Sequence, residues 1–235
     1  TYAQWQYENG DKTVACFAPD FRPEGIFSGK TVLDMGCGAA GKSLYYLSIG
    51  AEKVVGVDVV ERYKAEAEGF ARQLGVEDRF AFILGDALRL PLEDNAFDVV
   101  VMNDFMEHIR DPEGALKEAL RVLKPGGRIF VNFPPYFHPT GAHMSDVIGI
   151  PWVHMFFREK TLIATYKELV RGLPDEKERL ALRFGVDERG RERITYINKM
   201  TLRRFRKILK SLHLRVVWYR EIPLRKYFIL FAKIP

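Results

Sequence analysis

The sequence of 235 residues has few cysteines and no long apolar run. Its two cysteines, Cys16 and Cys37, could form one disulfide at most, so the chain is not a small secreted protein held together by disulfides. No uncharged apolar stretch reaches the ~18 residues that a membrane-spanning helix needs. The first 12 residues lack the basic segment and apolar stretch of a secretory signal. We therefore expect a soluble, cytoplasmic protein.

Apolar residues make up 47% of the chain, which is enough to fill a sizeable core and excludes a disordered protein. The net charge of +5 is unevenly distributed, because residues 199–235 contain 11 Lys or Arg and a single acid, Glu221. A basic segment of this kind attracts nucleic acid, anionic lipid or an acidic substrate, or it forms the solvated face of a helix. Charge alone therefore does not identify a partner.

Short β-branched and aromatic runs alternate with helical patterns over residues 30–133. This alternation is typical of the crossover units that build a parallel sheet. Five buried strands are predicted, at residues 30–34, 53–58, 80–84, 97–102 and 128–133. Helices are predicted in the connections between them, at residues 43–49, 61–74 and 112–123. A tight turn, LKPGG at residues 123–127, is expected just before the fifth strand.

The pattern changes after Phe133. Residues 134–198 are rich in proline, histidine and aromatic residues, and this segment is too long for a plain connection, so we expect a lid or substrate-binding insertion. Thr201 is predicted to cap an amphipathic helix. Residues 214–219 and 227–232 are predicted to form two closing strands, a hairpin at the edge of the sheet. Together with an N-terminal cap segment, residues 1–29, these parts are expected to form a single domain.

The turn after the first predicted strand is rich in glycine. Residues 34–41 read DMGCGAAG, and glycines at such a turn let the backbone approach a ligand closely. Gly36, Gly38 and Gly41 also fit the G-x-G-x-x-G pattern of dinucleotide-binding proteins. Asp58 lies 22 residues beyond Gly36, where such proteins place the acid that binds the ribose. The loop by itself therefore leaves a nicotinamide-dependent oxidoreductase open.

Two acids at the ends of predicted strands favour a different ligand. Asp34 precedes Gly36 by two residues, and a carboxylate there would repel a diphosphate but suit an ammonium or sulfonium group. Asp86, after the third strand, offers an acceptor to the exocyclic amine of adenine. Both acids thus favour a cationic cofactor that carries an adenine.

Together these residues resemble the class I S-adenosylmethionine-dependent methyltransferases, especially the small-molecule group that includes quinone-biosynthesis methyltransferases. The resemblance covers residues 30–133 well and residues 199–235 weakly. It implies an α/β fold: a doubly wound, Rossmann-like sheet of seven strands, the last antiparallel, with helices on both faces. The chain departs from the family at Ala40, where glycine is common.

The resemblance also implies S-adenosylmethionine as the cofactor and roles for individual residues. Nine residues would line the cofactor: Asp34, Gly36, Cys37, Gly38, Asp58, Val59, Asp86, Ala87 and Asn103. Among them, Asp58 would hold the ribose hydroxyls and Val59 would pack on the adenine. Asn103, at the end of the fourth strand, would lie near both the cofactor and the methyl acceptor.

Glu107 and His108 follow the fourth predicted strand, where this family often places residues near the acceptor. A base is needed only if the acceptor must lose a proton to become nucleophilic, and histidine suits that role near neutral pH. His108 is therefore a catalytic candidate and Glu107 a substrate-binding one. His108 could equally cap or pack its own segment.

The insertion supplies further polar and aromatic candidates: Tyr136, His138, His143, Asp146, Trp152 and His154. In an acceptor pocket, His143 or His154 would act as the base, while Tyr136 and Trp152 would contact the acceptor. Three histidines and a carboxylate could instead bind a divalent metal, but their spacing matches no tight ligand motif, so no metal site is predicted. Ordinary packing of these side chains also remains open.

We therefore expect S-adenosylmethionine-dependent methyl transfer to a small molecule, with oxygen as the favoured acceptor atom. Methylation of RNA or protein through the basic C-terminal segment is the competing enzyme class. A nicotinamide-dependent oxidoreductase and a non-catalytic cofactor-binding module are the further alternatives.

Overall fold

The computed structural model describes residues 1–15 and 21–221. The chain divides into two compact units, Thr1–Leu202 and Arg203–Pro235. Within the described ranges, every helix is too short or too polar to cross a membrane.

A five-stranded parallel sheet forms the centre of the first unit. Its strands are β1 (Thr31–Met35), β2 (Lys53–Asp58), β3 (Phe80–Leu84), β4 (Phe97–Asn103) and β5 (Leu123–Asn132). Their order in the sheet is β3-β2-β1-β4-β5, so the chain reverses its direction of travel between β1 and β4. Ligands of such sheets bind beyond the carboxyl ends of the strands at this reversal.

The predicted strands are confirmed, except that β5 begins earlier than expected. Leu123 pairs with Phe97 before the register shifts, and Arg128 then pairs with Val99. The predicted tight turn at residues 123–127 is therefore an irregularity within β5, where Gly126 takes the left-handed conformation with φ +81°. The turn prediction was wrong because the glycines interrupt the ladder without ending the strand.

Three helices connect these strands: α4 (Gly41–Ser48), α5 (Arg62–Gln73) and α6 (Pro112–Val122). The three predicted helices are confirmed, and each end lies within two residues of its predicted position. The Asp111 carboxylate caps α6 by accepting the Gly114 N–H at 2.9 Å, and Pro112 occupies the first turn, where no N–H is needed. The buried face of α6 includes Ala115, Leu116 and Ala119, which helical spacing places on one side.

Three short helices precede the sheet: α1 (Tyr2–Glu8), α2 (Gly10–Val14) and α3 (Pro23–Phe27). Helix α1 packs directly on the start of α4. A Cβ atom on Gly41 would lie 1.9 Å from the Ala3 carbonyl oxygen, so only glycine permits this approach. The Gln6 side chain accepts the Gly41 N–H at 3.1 Å and donates to the Cys37 carbonyl at 3.4 Å. The N-terminal segment thus lies against the glycine-rich loop.

The insertion after β5 has its own secondary structure: α7 (Val153–Phe156), α8 (Glu159–Val170), α9 (Glu176–Arg183), β6 (Phe184–Val186) and β7 (Glu192–Ile194). Strands β6 and β7 form a separate antiparallel pair. A small apolar core, which includes Met144, Leu162 and Tyr166, holds the segment together. Whether it acts as a lid stays a prediction.

The second unit contains most of α10 (Leu202–Ser211). Phe205 and Ile208 are buried, whereas Arg203, Arg206 and Lys207 are exposed, so the predicted amphipathic helix is confirmed. Much of the basic excess is therefore a helix face directed to solvent.

The predicted strand at residues 214–219 is wrong. These residues pair with no strand among residues 1–15 and 21–221, and the consecutive residues Val216 and Val217 are both exposed, which does not match the alternation of a half-buried strand. Its predicted partner, residues 227–232, lies outside the described residues. The described part of the chain thus contains five of the seven strands that we expected in the main sheet.

Arg121 at the end of α6 anchors the loop that follows β3. Its guanidinium donates to the Leu90 and Leu92 carbonyls at 3.1 and 2.8 Å and pairs with Asp94 and Glu118. We expect Arg121→Ala to lower the free energy of unfolding by about 1–3 kcal/mol, because these acceptors lose a charged donor. Urea denaturation measures this loss.

Lys117→Ala is the matched control on the same helix. Lys117 forms an exposed pair with Glu113, and its loss should change the free energy of unfolding by less than about 0.5 kcal/mol. Equal effects of the two substitutions would show that Arg121 does not anchor the loop.

Candidate active site

The glycine-rich loop leaves the carboxyl end of β1 beside the β1–β4 reversal. Gly36, Gly38 and Ala40 all have positive φ, of 76°, 58° and 60°. A Cβ on Gly36 would lie 2.4 Å from Phe105, so glycine is required there for steric as well as conformational reasons. Ala40 takes the same left-handed conformation as the two glycines, a conformation that glycine adopts more readily than alanine.

Asp34 lies at the base of this loop and is 3% exposed. Its carboxylate accepts the Ser43 hydroxyl at 2.6 Å. Burial raises the pKa of Asp34 to about 6, while the bond from Ser43 and the charge of Lys42 act in the opposite direction. Ser43 was not among the predicted site residues, although its position in the first turn of the following helix was a usable signal.

Asp58, the last residue of β2, hydrogen-bonds to the loop that follows β1. One carboxylate oxygen accepts the Gly38 N–H at 2.8 Å, and the other accepts the Val60 N–H at 2.9 Å. The predicted ribose ligand is thus oriented by two backbone donors. Val59 beside it is 68% exposed, which leaves an apolar surface at the position expected to pack on adenine.

The remaining cofactor candidates differ in their surroundings. Asp86 is exposed and accepts the Leu88 N–H at 2.9 Å, while Ala87 is buried. The Asn103 side chain is buried between Asp104 and Asn132, to which it hydrogen-bonds at 2.7 and 3.1 Å. Asp86 and Ala87 follow the carboxyl end of β3, and Asn103 is the last residue of β4, as expected.

Cys37 contributes its backbone to the loop, whereas its thiol is buried in the core. The Sγ atom lies 2.8 Å from where a Cβ on Gly56 would be, and burial raises the pKa of the thiol. A role for the Cys37 side chain in cofactor binding is therefore not supported.

Glu107 and His108, just beyond β4, meet His143 from the insertion. Glu107 Oε1 lies 3.7 Å from His108 Nε2 and 3.9 Å from His143 Nε2. The two imidazole rings are perpendicular, with centroids 4.7 Å apart. No sequence signal could have paired His143 with Glu107, because the residues that separate them in the chain include a whole helix and strand.

These three side chains are poorly hydrated and mostly neutral. Burial raises the pKa of Glu107 to about 8. Burial, with help from the neighbouring His108, lowers the pKa of His143 to about 4, and burial also lowers the pKa of His108. In the described ranges, both Glu107 oxygens and His143 Nε2 have no hydrogen-bond partner. Such perturbed groups in one place mark a functional-site candidate.

The other insertion candidates do not join this cluster. His138 bonds to Thr140, and Asp146 is occupied by Tyr166, Arg179 and Arg183, so the four groups that we considered for a metal are not brought together. His154 Nε2 lies 2.6 Å from the Tyr136 carbonyl oxygen.

Tyr136 and His154 line a cavity of about 230 Å³, together with Leu162 and Ile197 among others. Trp152 is not part of its lining in the described chain, and the indole N–H donates to the Phe137 carbonyl at 3.0 Å. Ala142 also lines the cavity, and the next residue is His143 of the cluster. Cavity and cluster are therefore close neighbours.

Residues 33–131 match a family model described as a methyltransferase domain. The chain is 33% identical over 102 residues to norajmaline N-methyltransferase of Rauvolfia serpentina, covering 43% of this chain and 35% of that protein. It is 34% identical over 160 residues to demethylmenaquinone methyltransferase of Thermobifida fusca, covering 64% of this chain and 65% of that protein. The chain thus spans between about a third and two thirds of these relatives.

A solved structure of a candidate methyltransferase from Bacillus halodurans C-125 superposes with a TM-score of 0.53 at 20% identity, covering 87% of this chain and 68% of that one. This likeness supports the fold. The family match covers β2, β3 and β4 and most of β1 and β5, together with Asp34, Asp58 and the glycine-rich loop. Residues 33–131 thus match a methyltransferase domain and are similar to the class I S-adenosylmethionine-dependent methyltransferases, whose cofactor is S-adenosylmethionine.

Proposed function

We propose that the chain transfers the methyl group of S-adenosylmethionine to a hydroxyl oxygen of a small-molecule acceptor. In this reaction the oxygen forms a bond to the methyl carbon while the carbon–sulfur bond breaks, which releases S-adenosylhomocysteine. The hydroxyl proton passes to a base. Because the displacement is in line, the protein mainly has to align the two reactants and exclude water.

The cofactor side of the proposal rests on the loop after β1. The Asp34 carboxylate, when ionised, favours a cationic ligand in a water-poor environment. Asp58, held by the Gly38 and Val60 N–H groups, is oriented to accept bonds from two ribose hydroxyls. The exposed Val59 offers an apolar surface for adenine, and Asp86 offers an acceptor at its edge.

The observation that carries the acceptor side is the cluster of Glu107, His108 and His143. Its distances of 3.7 and 3.9 Å are too long for the three groups to satisfy one another by direct hydrogen bonds. An acceptor hydroxyl would supply the missing donor, and His143 Nε2 could take its proton next to the Glu107 carboxyl group. This arrangement supports oxygen as the acceptor atom.

The adjoining cavity suits the body of a small acceptor. Its Leu162 and Ile197 are apolar, and Lys199 and Glu159 provide charged groups at its wall. The names of the two relatives also refer to small molecules, norajmaline and demethylmenaquinone, although one of them is an N-methyltransferase. No described contact favours RNA or protein as the acceptor.

The test has two stages. Calorimetric titration with S-adenosylmethionine, S-adenosylhomocysteine and NAD identifies the ligand, and transfer of a radiolabelled methyl group is then measured to phenols and to anilines of matched skeleton. Binding of both sulfur compounds together with transfer to phenols supports the proposal. Transfer to anilines alone would show that the acceptor atom is nitrogen. Binding of the sulfur compounds without any methyl transfer would indicate a non-catalytic module.

The pH dependence of cofactor binding tests Asp34 separately. The pKa of about 6 means that Asp34 is mostly ionised at pH 7 and mostly protonated at pH 5. Because only the carboxylate attracts a cationic ligand, we expect the association constant for S-adenosylmethionine to fall by roughly tenfold from pH 7 to pH 5. Titrations at several pH values measure this change.

Asp34→Asn is the control, because it keeps an acceptor for Ser43 but cannot ionise. Its affinity should be weaker at pH 7 and nearly constant between pH 5 and pH 7. If Asp34→Asn showed the same tenfold pH dependence, ionisation of Asp34 would be excluded as the cause.

A further inference from the structure

We infer that Glu107, His108 and His143 bind a divalent transition-metal ion. One ligand atom from each side chain lies within 4.8 Å of the other two. The atoms that bind Zn²⁺ lie about 2.0–2.2 Å from the ion, so two ligands of one ion are about 3–4 Å apart. The distances of 3.7 and 3.9 Å from Glu107 Oε1 to the two imidazole nitrogens fall in this range.

The tautomer of His108 is determined by its backbone partner. His108 Nδ1 lies 2.8 Å from the Tyr196 carbonyl oxygen. A carbonyl only accepts, so Nδ1 carries the proton and Nε2 presents a lone pair toward Glu107. Histidines that bind metals commonly donate their second N–H to a carbonyl in this way.

Glu107 provides an independent observation. Its side chain is 3% exposed, and neither carboxylate oxygen has a hydrogen-bond partner in residues 1–15 and 21–221. His143 Nε2 is equally without one. Buried polar atoms are normally satisfied, and a shared cation would satisfy Glu107 and His143 together, because their ligand atoms and that of His108 lie within 4.8 Å of one another.

The donor set indicates the class of metal. Two imidazole nitrogens and one carboxylate suit Zn²⁺ and similar first-row ions better than Mg²⁺ or Ca²⁺, which prefer oxygen ligands. Three protein ligands also leave a coordination position open, as in catalytic zinc sites. The site is therefore one that could accept a further ligand atom.

Metal binding itself does not require methyl transfer, but its chemical consequence rests on the proposed function. A divalent ion bound by His143 Nε2 would take the place of His143 as the base, because the coordinated nitrogen cannot accept a proton while the charge of the ion favours loss of the hydroxyl proton to water. Binding and catalysis are consequently measured separately, so that failure of one is distinguishable from failure of the other.

The experiment uses the untagged full chain after treatment with a chelator. We expect equilibrium dialysis to show one Zn²⁺ bound per chain. With Co²⁺ as a spectroscopic probe, visible bands should appear without the near-ultraviolet absorption of a thiolate ligand, which excludes the cysteines. Glu107→Gln and His143→Asn should each weaken Zn²⁺ binding by at least about tenfold.

His138→Ala is the matched control, because His138 lies in the same insertion but bonds only to Thr140 among the contacts described. It should bind Zn²⁺ as the parent chain does. Affinity for S-adenosylhomocysteine and circular dichroism, measured on every variant, show that each one is folded. Absence of stoichiometric binding by the parent chain, or binding unchanged in Glu107→Gln and His143→Asn, would overturn the inference.

Discussion

Replacing His143 by asparagine is expected to lower the turnover of methyl transfer by about 100-fold or more, the usual contribution of a positioned general base. His143 has a φ of +52°, a conformation that asparagine tolerates better than alanine, so the backbone of the insertion should persist. Affinity for S-adenosylmethionine should stay within about twofold of the parent value. Turnover is measured with saturating cofactor and acceptor, and affinity by calorimetry.

Two companion variants sharpen this prediction. His154→Ala removes the other histidine proposed as the base, and His138→Ala removes a histidine that lies outside both the cluster and the cavity lining. A large loss of turnover in His154→Ala, with activity retained in His143→Asn, would show that His154, and not His143, is the general base. Loss of cofactor affinity in His143→Asn would instead indicate a structural effect on the whole site.

Asp58→Ala is expected to weaken S-adenosylmethionine binding by about 10- to 150-fold. A hydrogen bond to a charged acceptor contributes about 1.5–3 kcal/mol, and the substitution leaves the ribose hydroxyls without this acceptor. The Gly38 and Val60 N–H groups also lose their partner, so the loop itself becomes less well oriented. Calorimetric titration at pH 7.5 measures the change.

Asp78→Ala serves as the control for charge, since Asp78 is an exposed acid in the short 3₁₀ helix before β3. It should bind the cofactor as the parent chain does. Asp58→Asn should give an intermediate loss, because one oxygen acceptor remains. Unchanged affinity in Asp58→Ala would exclude Asp58 from the cofactor site.

The parallel sheet was accessible from sequence because its central strands, β1, β2 and β4, are buried on both faces. Such strands appear as continuous apolar runs, and β2 and β3 begin and end at the predicted residues. Helix α6 was equally clear from the helical spacing of its apolar residues. The start of β5 was not clear from the sequence, since Pro125, Gly126 and Gly127 are local turn signals, and pairing with β4 overrides them.

Some residues of the candidate site could likewise be predicted from the sequence, and others could not. Asp34 and Asp58 follow strands that the sequence predicts, so their place at one edge of the sheet could be anticipated. The meeting of Glu107 with His143 depends instead on how the insertion folds back, which no local pattern encodes. The same holds for the backbone carbonyl of Tyr196, which orients His108, because a carbonyl is present at every residue.

The central position of β1 has a consequence for the order in which the chain folds. Val32 pairs with Val54 on one side and with Val99 on the other, so the second partner is synthesised much later than the first. Strands β1 to β3 can therefore associate while β4 is still unmade, and closing that longer loop is slower. Until then one edge of β1 presents unpaired N–H and C=O groups, which can recruit a strand from another chain. The growing chain is thus open to aggregation through this edge after β3 has emerged from the ribosome and before β4 has followed.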